Sequence, residues 1–380
     1  MRNWLIGVCT ICLLQLASPL LAQTPEINNS TPEKTQKNEN TAPKKKPRHG
    51  EWKKMSPEES RNFLDDNFPG WEKMDPCYGT DKTPIPPNDL PTPEIAQSLA
   101  KCSSVDFYWG IHVPTDFAKA RHCAFLEREK KNDDNQLGGT GLLMMIFANG
   151  DGVERNLDLA IRFACEYEGD GSGAIVDHLK RLKEDNWKGN DFDICDFSST
   201  SFQSAHCGHL AEQIQEIERH EKLTNLMKSW GNLDSKAFKV LEKAFDSYVQ
   251  AHTENEVHCG GNALCAVFSI EQRTRLKDDF LSDLNSVESG QFPRFTKKEF
   301  IRIDQELNRI YLETREKSKK DDEDNMFATV TDRGIKETQR AWLKYRDSWV
   351  SFAKQRYPKV AEESWKAWLT KKRIMILEEL

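Results

Sequence analysis

The chain has 380 residues, 54 Lys/Arg against 61 Asp/Glu, and 37% hydrophobic residues. That length exceeds one usual hydrophobic core, so two domains are expected. A formal net charge of −7 argues against a surface for nucleic acid or for anionic membrane.

Residues 1–22 start with Arg2, carry an apolar run from Trp4 to Leu14 and end on the small residue Ala22, the layout of a cleaved secretory signal peptide. The run is too short to cross a bilayer, and no later stretch is apolar for about 18 residues, so no transmembrane span is expected in the mature chain. Cys9 and Cys12 lie inside the run and the residue directly after Ala22 is Gln23, not a cysteine, so no site for a lipid anchor is expected. Setting these two aside from ten cysteines leaves eight, and an even count in an exported protein predicts disulfides in a periplasmic or secreted setting.

Residues 23–95 are expected to be a disordered, proline-rich linker with one short helix. From Gln23 to Gly50 almost nothing is apolar, so ordering entropy has no offset. The basic run Lys44, Lys45, Lys46 and Arg48 lies within it and reads as solvated chain rather than as a contact for anionic polymers. Ser56, Pro57 and Glu59 signal a helix start, with a stop before Pro69. A second proline-rich link runs from Pro76 to Pro93.

From residue 96 to residue 224 a repeat is visible. Phe107–Phe125 aligns with Ile146–Cys165, placing Gly110 over Gly150, Val113 over Val153, Asp116 over Asn156 and Ala120 over Ala160. This resembles the Sel-like helical repeat, which implies α/α hairpins with a Gly-x-Gly-Val turn and an Asp or Asn capping the second helix of each. His112 stands where the first unit should have its second glycine, and Gly171–Trp187 supplies part of a third unit. Cys102 and Cys123 fall on opposite arms of the first turn and are expected to pair. Cys259 and Cys265 can close a tight loop, whereas the pairing of Cys77, Cys165, Cys195 and Cys207 is left open. This segment holds 14 Lys/Arg against 22 Asp/Glu, net −8, while residues 225–380 hold 28 against 26, net +2.

In residues 225–380 helical periodicity recurs in Phe238–Val249, Ile270–Val287, Phe300–Leu312 and Trp365–Leu377, following an earlier helix over Leu210–Trp230. Thr296 with Glu299 is a capping box, and Lys319–Asp324 is expected to be a polar connection. The central element is Thr331–Pro358. Ile335, Trp342 and Trp349 recur every seven residues, with Thr338, Tyr345 and Phe352 between them, the apolar stripe of one long helix. Its aromatics could bury about 150 to 250 Å² each, so it should be the rod of an all-α bundle.

The run Gln339–Asp347, preceded by Leu307–Tyr311 and followed by Leu369–Leu377, resembles the C-terminal domain of the LprI-like family of lysozyme inhibitors. The resemblance covers residues 225–380. It implies that Asn308, Tyr311, Gln339, Trp342, Tyr345, Arg346, Asp347, Thr370 and Arg373 are motif residues. Many relatives carry a cysteine after the Tyr-Arg-Asp motif and another before the Leu-Thr motif. This chain has neither, and packing of Trp349 or Val350 against the segment Trp365–Trp368 is expected instead. Arg346 and Asp347 with Asn308 should tie the rod to its neighbours, and Thr370 should cap or back-bond the last helix. Trp365 and Trp368 are read as an exposed binding anchor.

Catalytic and metal motifs are missing. There is no G-x-S-x-G, no H-E-x-x-H and no phosphate-cradling glycine loop. Asp278 with Asp279, and Glu362 with Glu363, are sequence neighbours that point apart on a helix and read as surface charge. His122, His206 and His258 each precede a cysteine, with His209 and His252 nearby, but the spacing fits no zinc pattern, so neither metal nor cofactor is expected. The expectation is a non-enzymatic, all-α, exported protein: a Sel-like α/α repeat (solenoid) segment followed by a helical-bundle LprI-like domain. Its partner would be a protein, with a cationic lysozyme the one the resemblance implies. The competing expectation is a repeat scaffold or adaptor for an envelope partner without inhibitor activity.

Overall fold

The computed structural model describes residues 70, 75–130, 137–167, 169, 171–259, 264–324 and 329–380. The expected signal peptide at 1–22, the basic run at 44–48 and the helix begun at Ser56 lie outside them. Among the described residues there are twelve α-helices and no strand, an all-α fold.

The first six are α1 (Pro93–Ser98), α2 (Ser104–Trp109), α3 (Phe117–Glu129), α4 (Gly139–Asn149), α5 (Leu157–Glu166) and α6 (Ser172–Glu184). The aligned halves of the sequence build the same turn twice. α2 ends on Gly110 at φ 76° and α4 on Gly150 at φ 75°, the left-handed conformation that glycine adopts without a Cβ clash. The chain then doubles back, and Asp116 and Asn156 cap α3 and α5 by accepting from the N–H of Lys119 and Leu159. The N–H of Asp116 donates to Phe107 O at 2.8 Å, and that of Asn156 to Phe147 O at 2.9 Å. Gly152 sits at φ 68° with Phe117 so close that an added Cβ would lie 2.8 Å from it. His112 holds the equivalent place at φ 61°, a strained conformation for a side chain with a Cβ, and its Nδ1 lies 3.0 Å from Asp106.

Each of α3 to α6 packs on the helix before it, and α1 packs on α3. α4 is buried all round from Leu142 to Ala148, which makes it the centre of the first hydrophobic core. Buried Glu127 of α3 accepts from the N–H of Ser104 and of Gly139, both at 2.9 Å, and so fixes the starts of α2 and α4. α6 has no hairpin partner of its own; Arg155 instead stacks over Trp187 and donates to Trp187 O at 3.1 Å.

The linker expectation for 23–95 is corrected over its last part. Residues 75–95 are held against the hairpins by the Cys77–Cys165 disulfide, by Arg121 3.6 Å from Asp89, and by Arg162 donating to Thr83 O. Cys102 pairs with Cys123 and Cys259 with Cys265, as expected, and Cys195 joins Cys207.

The remaining helices are α7 (Ser201–Met227), α8 (Asn232–Asn255), α9 (Cys265–Glu288), α10 (Lys297–Asp324), α11 (Asp332–Arg356) and α12 (Glu362–Glu378). α7 passes from the first core, where Leu210 and Ile214 pack, to the second, where Leu223 and Met227 pack. It runs without a break across residue 224. Arg219–Asp278 at 2.9 Å and Arg273–Glu212 at 3.1 Å join it to α9. α10 continues to Asp324, so Lys319–Asp324 is helix and not the polar connection expected.

In the second core α11 packs most extensively on α8, and α10 on α12. Ile335, Thr338, Trp342, Tyr345, Trp349 and Phe352 are all buried, so the stripe read from the sequence has the correct phase. Trp342→Ala is expected to cost about 3 to 5 kcal/mol through lost burial and the cavity left behind. Urea denaturation of the full chain measures this, and an unchanged midpoint would place the ring outside the core.

Candidate functional site

Most of the motif residues face the core. Arg373 of α12 is completely buried, and its guanidinium forks onto Glu256 with Nη1–Oε2 at 2.7 Å and Nη2–Oε1 at 2.6 Å. Its Nε donates to Gln339 Oε1 on α11 at 2.9 Å. Glu256, the residue that ends α8, also lies 2.9 Å from His252 Nδ1. Burial pushes the Glu256 carboxyl up, but the charge and hydrogen bonds of Arg373, with the bond to His252, outweigh it and hold the group below its ordinary range. One side chain from α12 therefore ties the ends of three helices together. Glu256 is not among the residues the sequence motifs single out; the readable signal is its spacing of four from His252, on one helix face.

Other motif residues behave differently. Arg346 lies over the Trp342 ring at 5.2 Å and reaches Asp347 at 3.0 Å and Asp304 of α10 at 3.9 Å. Asn308 is exposed and, among the described residues, donates to Asp304 O within its own helix, because it lies off the Ile303, Leu307, Ile310 stripe; it does not tie the rod. Thr370 is fully buried, yet its hydroxyl finds no partner among the described residues, so it neither caps nor back-bonds. Tyr311 is half-buried beneath Arg315, at 5.3 Å.

The exposed tryptophan anchor is also corrected. Trp365 is 1% exposed, since it shares the α12 face of Leu369, Arg373 and Leu377, and Trp368 is half-buried. Trp349 meets Trp368 at 5.4 Å, so rings join α11 to α12 where the resemblance places a cysteine clamp. The histidines considered for metal have other neighbours: His206 packs on Phe202 and His258 Nε2 lies 3.2 Å from Leu380 O.

Two of the concavities among the described residues of the bundle take walls from α11 or the loop that follows it. The first, of about 220 Å³, has Tyr248, Phe280, Trp342 and Tyr345 among its walls. Its mouth is crossed by Lys372 on Asp283 at 2.5 Å and by Arg275 on Glu379 at 3.2 Å. Burial pushes the Asp283 carboxyl up to about 6 despite Lys372. Because the folded value lies above the ordinary 3.8, this group stabilises most below pH 3.8 and loses that contribution as pH rises through about 6. Asp283→Asn is neutral throughout, so its stability relative to the native chain is expected to rise by up to about 3 kcal/mol between acid and neutral pH. Paired denaturation curves across that range check it; a constant difference would place the carboxyl in solvent.

The second concavity is a cleft of 820 Å³ between the α9–α10 loop and the α11–α12 loop. Gly290 at φ 88° ends α9 and Pro293 prevents the helix from resuming. Buried Ser364 then pins the loop to α12, donating to Pro293 O at 2.7 Å and accepting from Phe295 N at 2.8 Å. On the facing side Arg356 forks onto Glu288 at 2.8 and 2.9 Å, reaches Asp234 at 2.9 Å and lies over Trp230. Tyr357 donates to the same Glu288, whose carboxyl burial raises but these hydrogen bonds bring lower. Phe292, Phe295, Tyr357 and Val360 form the apolar walls. None of these cleft residues was singled out from the sequence, although two proline-containing aromatic loops rich in Lys and Arg were there to be read.

Residues 288–377 match a family model described as Lysozyme inhibitor LprI. No curated protein and no solved structure matches the chain. The matched stretch contains the whole cleft, the rod α11 and Arg373, and leaves out Glu256, His252 and the helical hairpins. The similarity to the LprI family is thus confined to the C-terminal part of the chain, residues 288–377.

Proposed function

We propose that this protein is an exported, non-catalytic binding protein that inhibits a lysozyme in the cell envelope. The observation that carries the proposal is the LprI match over 288–377, and the four disulfides support an oxidising compartment. In this reading 225–380 is the LprI-like domain and 96–224 a Sel-like repeat domain, whose net −8 steers a cationic enzyme while the bundle blocks its cleft. The doubled turn at Gly110 and Gly150 favours a second reading, a repeat scaffold for another envelope protein.

The test is lysis of peptidoglycan by a hen-type lysozyme in the presence of the full chain, with association followed by surface plasmon resonance. Inhibition is expected, with an association rate that falls about tenfold or more from low to high salt because exposed charges are screened beyond about 8 to 10 Å. Absence of both inhibition and binding up to about 100 micromolar would remove the inhibitor and leave the scaffold.

A further inference from the structure

The cleft between the two loops carries a charge that the lysozyme reading does not use. Residues 289–298 and 355–361, which contain nearly all of its lining, hold Arg294, Lys297, Lys298, Arg356 and Lys359 and no Asp or Glu. Arg356 is occupied by Glu288 and Asp234, but Arg294 and Lys359 are exposed on the lining. Lys371 adds a further exposed cation 5.7 Å from the Phe295 ring. Three nearby acids are engaged elsewhere: Glu288 by Arg356 and Tyr357, Glu299 by Thr296, and Glu362 by Lys354 and Lys366. The result is an aromatic groove edged by the exposed cations Arg294, Lys359 and Lys371.

We infer that this cleft is a docking groove for an acidic segment of a partner protein, one that seats an apolar side chain between Phe292, Phe295, Tyr357 and Val360 with carboxylates on either side. Charge complementarity selects the occupant. A cationic enzyme would be repelled by Arg294, Lys359 and Lys371, whereas flanking carboxylates would meet them. The spread of these cations along the edge suits an extended chain better than a compact ligand, which needs polar groups that converge. The volume of 820 Å³ accommodates such side chains, and the concave shape disfavours a bilayer, which is met by protruding loops. Ser364 and the Arg356–Glu288 fork hold both walls in place before binding, so little ordering is needed on association.

The experiment uses the full chain and a fluorescein-labelled peptide with a central Phe-Leu pair flanked by glutamates, read by anisotropy. A lysine-flanked counterpart and phosphatidylglycerol vesicles are the comparisons. Binding of the acidic peptide is expected in about the micromolar range, at least about tenfold tighter than the lysine peptide. Its affinity should fall as salt rises. The double variant R294E/K359E changes only exposed side chains, so its melting curve should match the native one while peptide affinity drops at least about tenfold. Equal binding of the two peptides, an unaffected double variant, no peptide binding up to about 1 mM, or binding to vesicles without binding to peptide would each overturn the assignment.

Discussion

Reduction of the disulfides is expected to unfold the helical-hairpin half of the chain and leave the α8 to α12 bundle largely intact. Three of the four bridges, with separations of 88, 21 and 12 residues, lie in the hairpin half, and the bundle has only the separation of 6 between Cys259 and Cys265. Loop-closure entropy assigns these about 4 to 5, 3, 3 and 2 kcal/mol respectively. The Cys77–Cys165 loop encloses the Cys102–Cys123 loop, so the three do not add fully. A loss of roughly 5 to 10 kcal/mol remains, against a whole-domain stability of about 5 to 15 kcal/mol. Amide hydrogen exchange with and without reductant separates the halves within one molecule. Protection should collapse at Leu143 to Phe147 of α4 and persist at Phe352 and Ala353 of α11. Equal loss at both would mean that the two cores unfold as one.

The sequence was most informative where a single period or a repeated turn dominates. The α11 stripe was phased correctly because six large or β-branched residues alternate at three and four steps and all six find the core. The turn at Gly110 was legible because Gly150 repeats it, down to the Asp or Asn that caps the next helix. Harder to read were contacts that join distant stretches. Glu256 and Arg373 are 117 residues apart, and nothing in either neighbourhood names the other. Trp365 is hard to place for a related reason: its residue type favours exposed binding hot spots, whereas its position four residues from Leu369 sets it on a buried face. The cleft was missed because it belongs to two loops 60 to 70 residues apart, whose aromatics become walls only after Ser364 binds one loop to α12. Residues 75–95 looked like linker by their prolines, yet the Cys77 bridge and the arginines of α3 and α5 supply order that local composition does not.

Removing the carboxylate at the centre of the bundle should be among the most damaging single substitutions there. Glu256→Gln keeps the shape but strands the Arg373 guanidinium, which has no exposure to solvent, and breaking one partner of such a buried pair costs about 3 to 5 kcal/mol. Arg373→Met is expected to cost less, because Glu256 keeps His252 Nδ1 at 2.9 Å as a hydrogen-bond partner. Exchanging both, Glu256→Leu with Arg373→Met, removes the two charges together and leaves the Gln339 amide and His252 Nδ1 short of a bond, for about 1 to 3 kcal/mol each. The double variant should therefore lose less than Glu256→Leu and Arg373→Met measured singly and added, and that shortfall measures the coupling of the pair. Acidity provides an independent check with a definite sign. The folded Glu256 carboxyl titrates below its ordinary 4.5, so its contribution is present above that pH and fades as pH falls through the folded value. The stability gap between the native chain and Glu256→Gln should accordingly narrow on acidification from neutral pH, in the opposite direction to the relative gain of Asp283→Asn. Urea midpoints of both variants over one pH series resolve the two groups. A gap for Glu256→Gln that stays constant below pH 4.5 would show that the carboxylate and Arg373 do not form a charged pair.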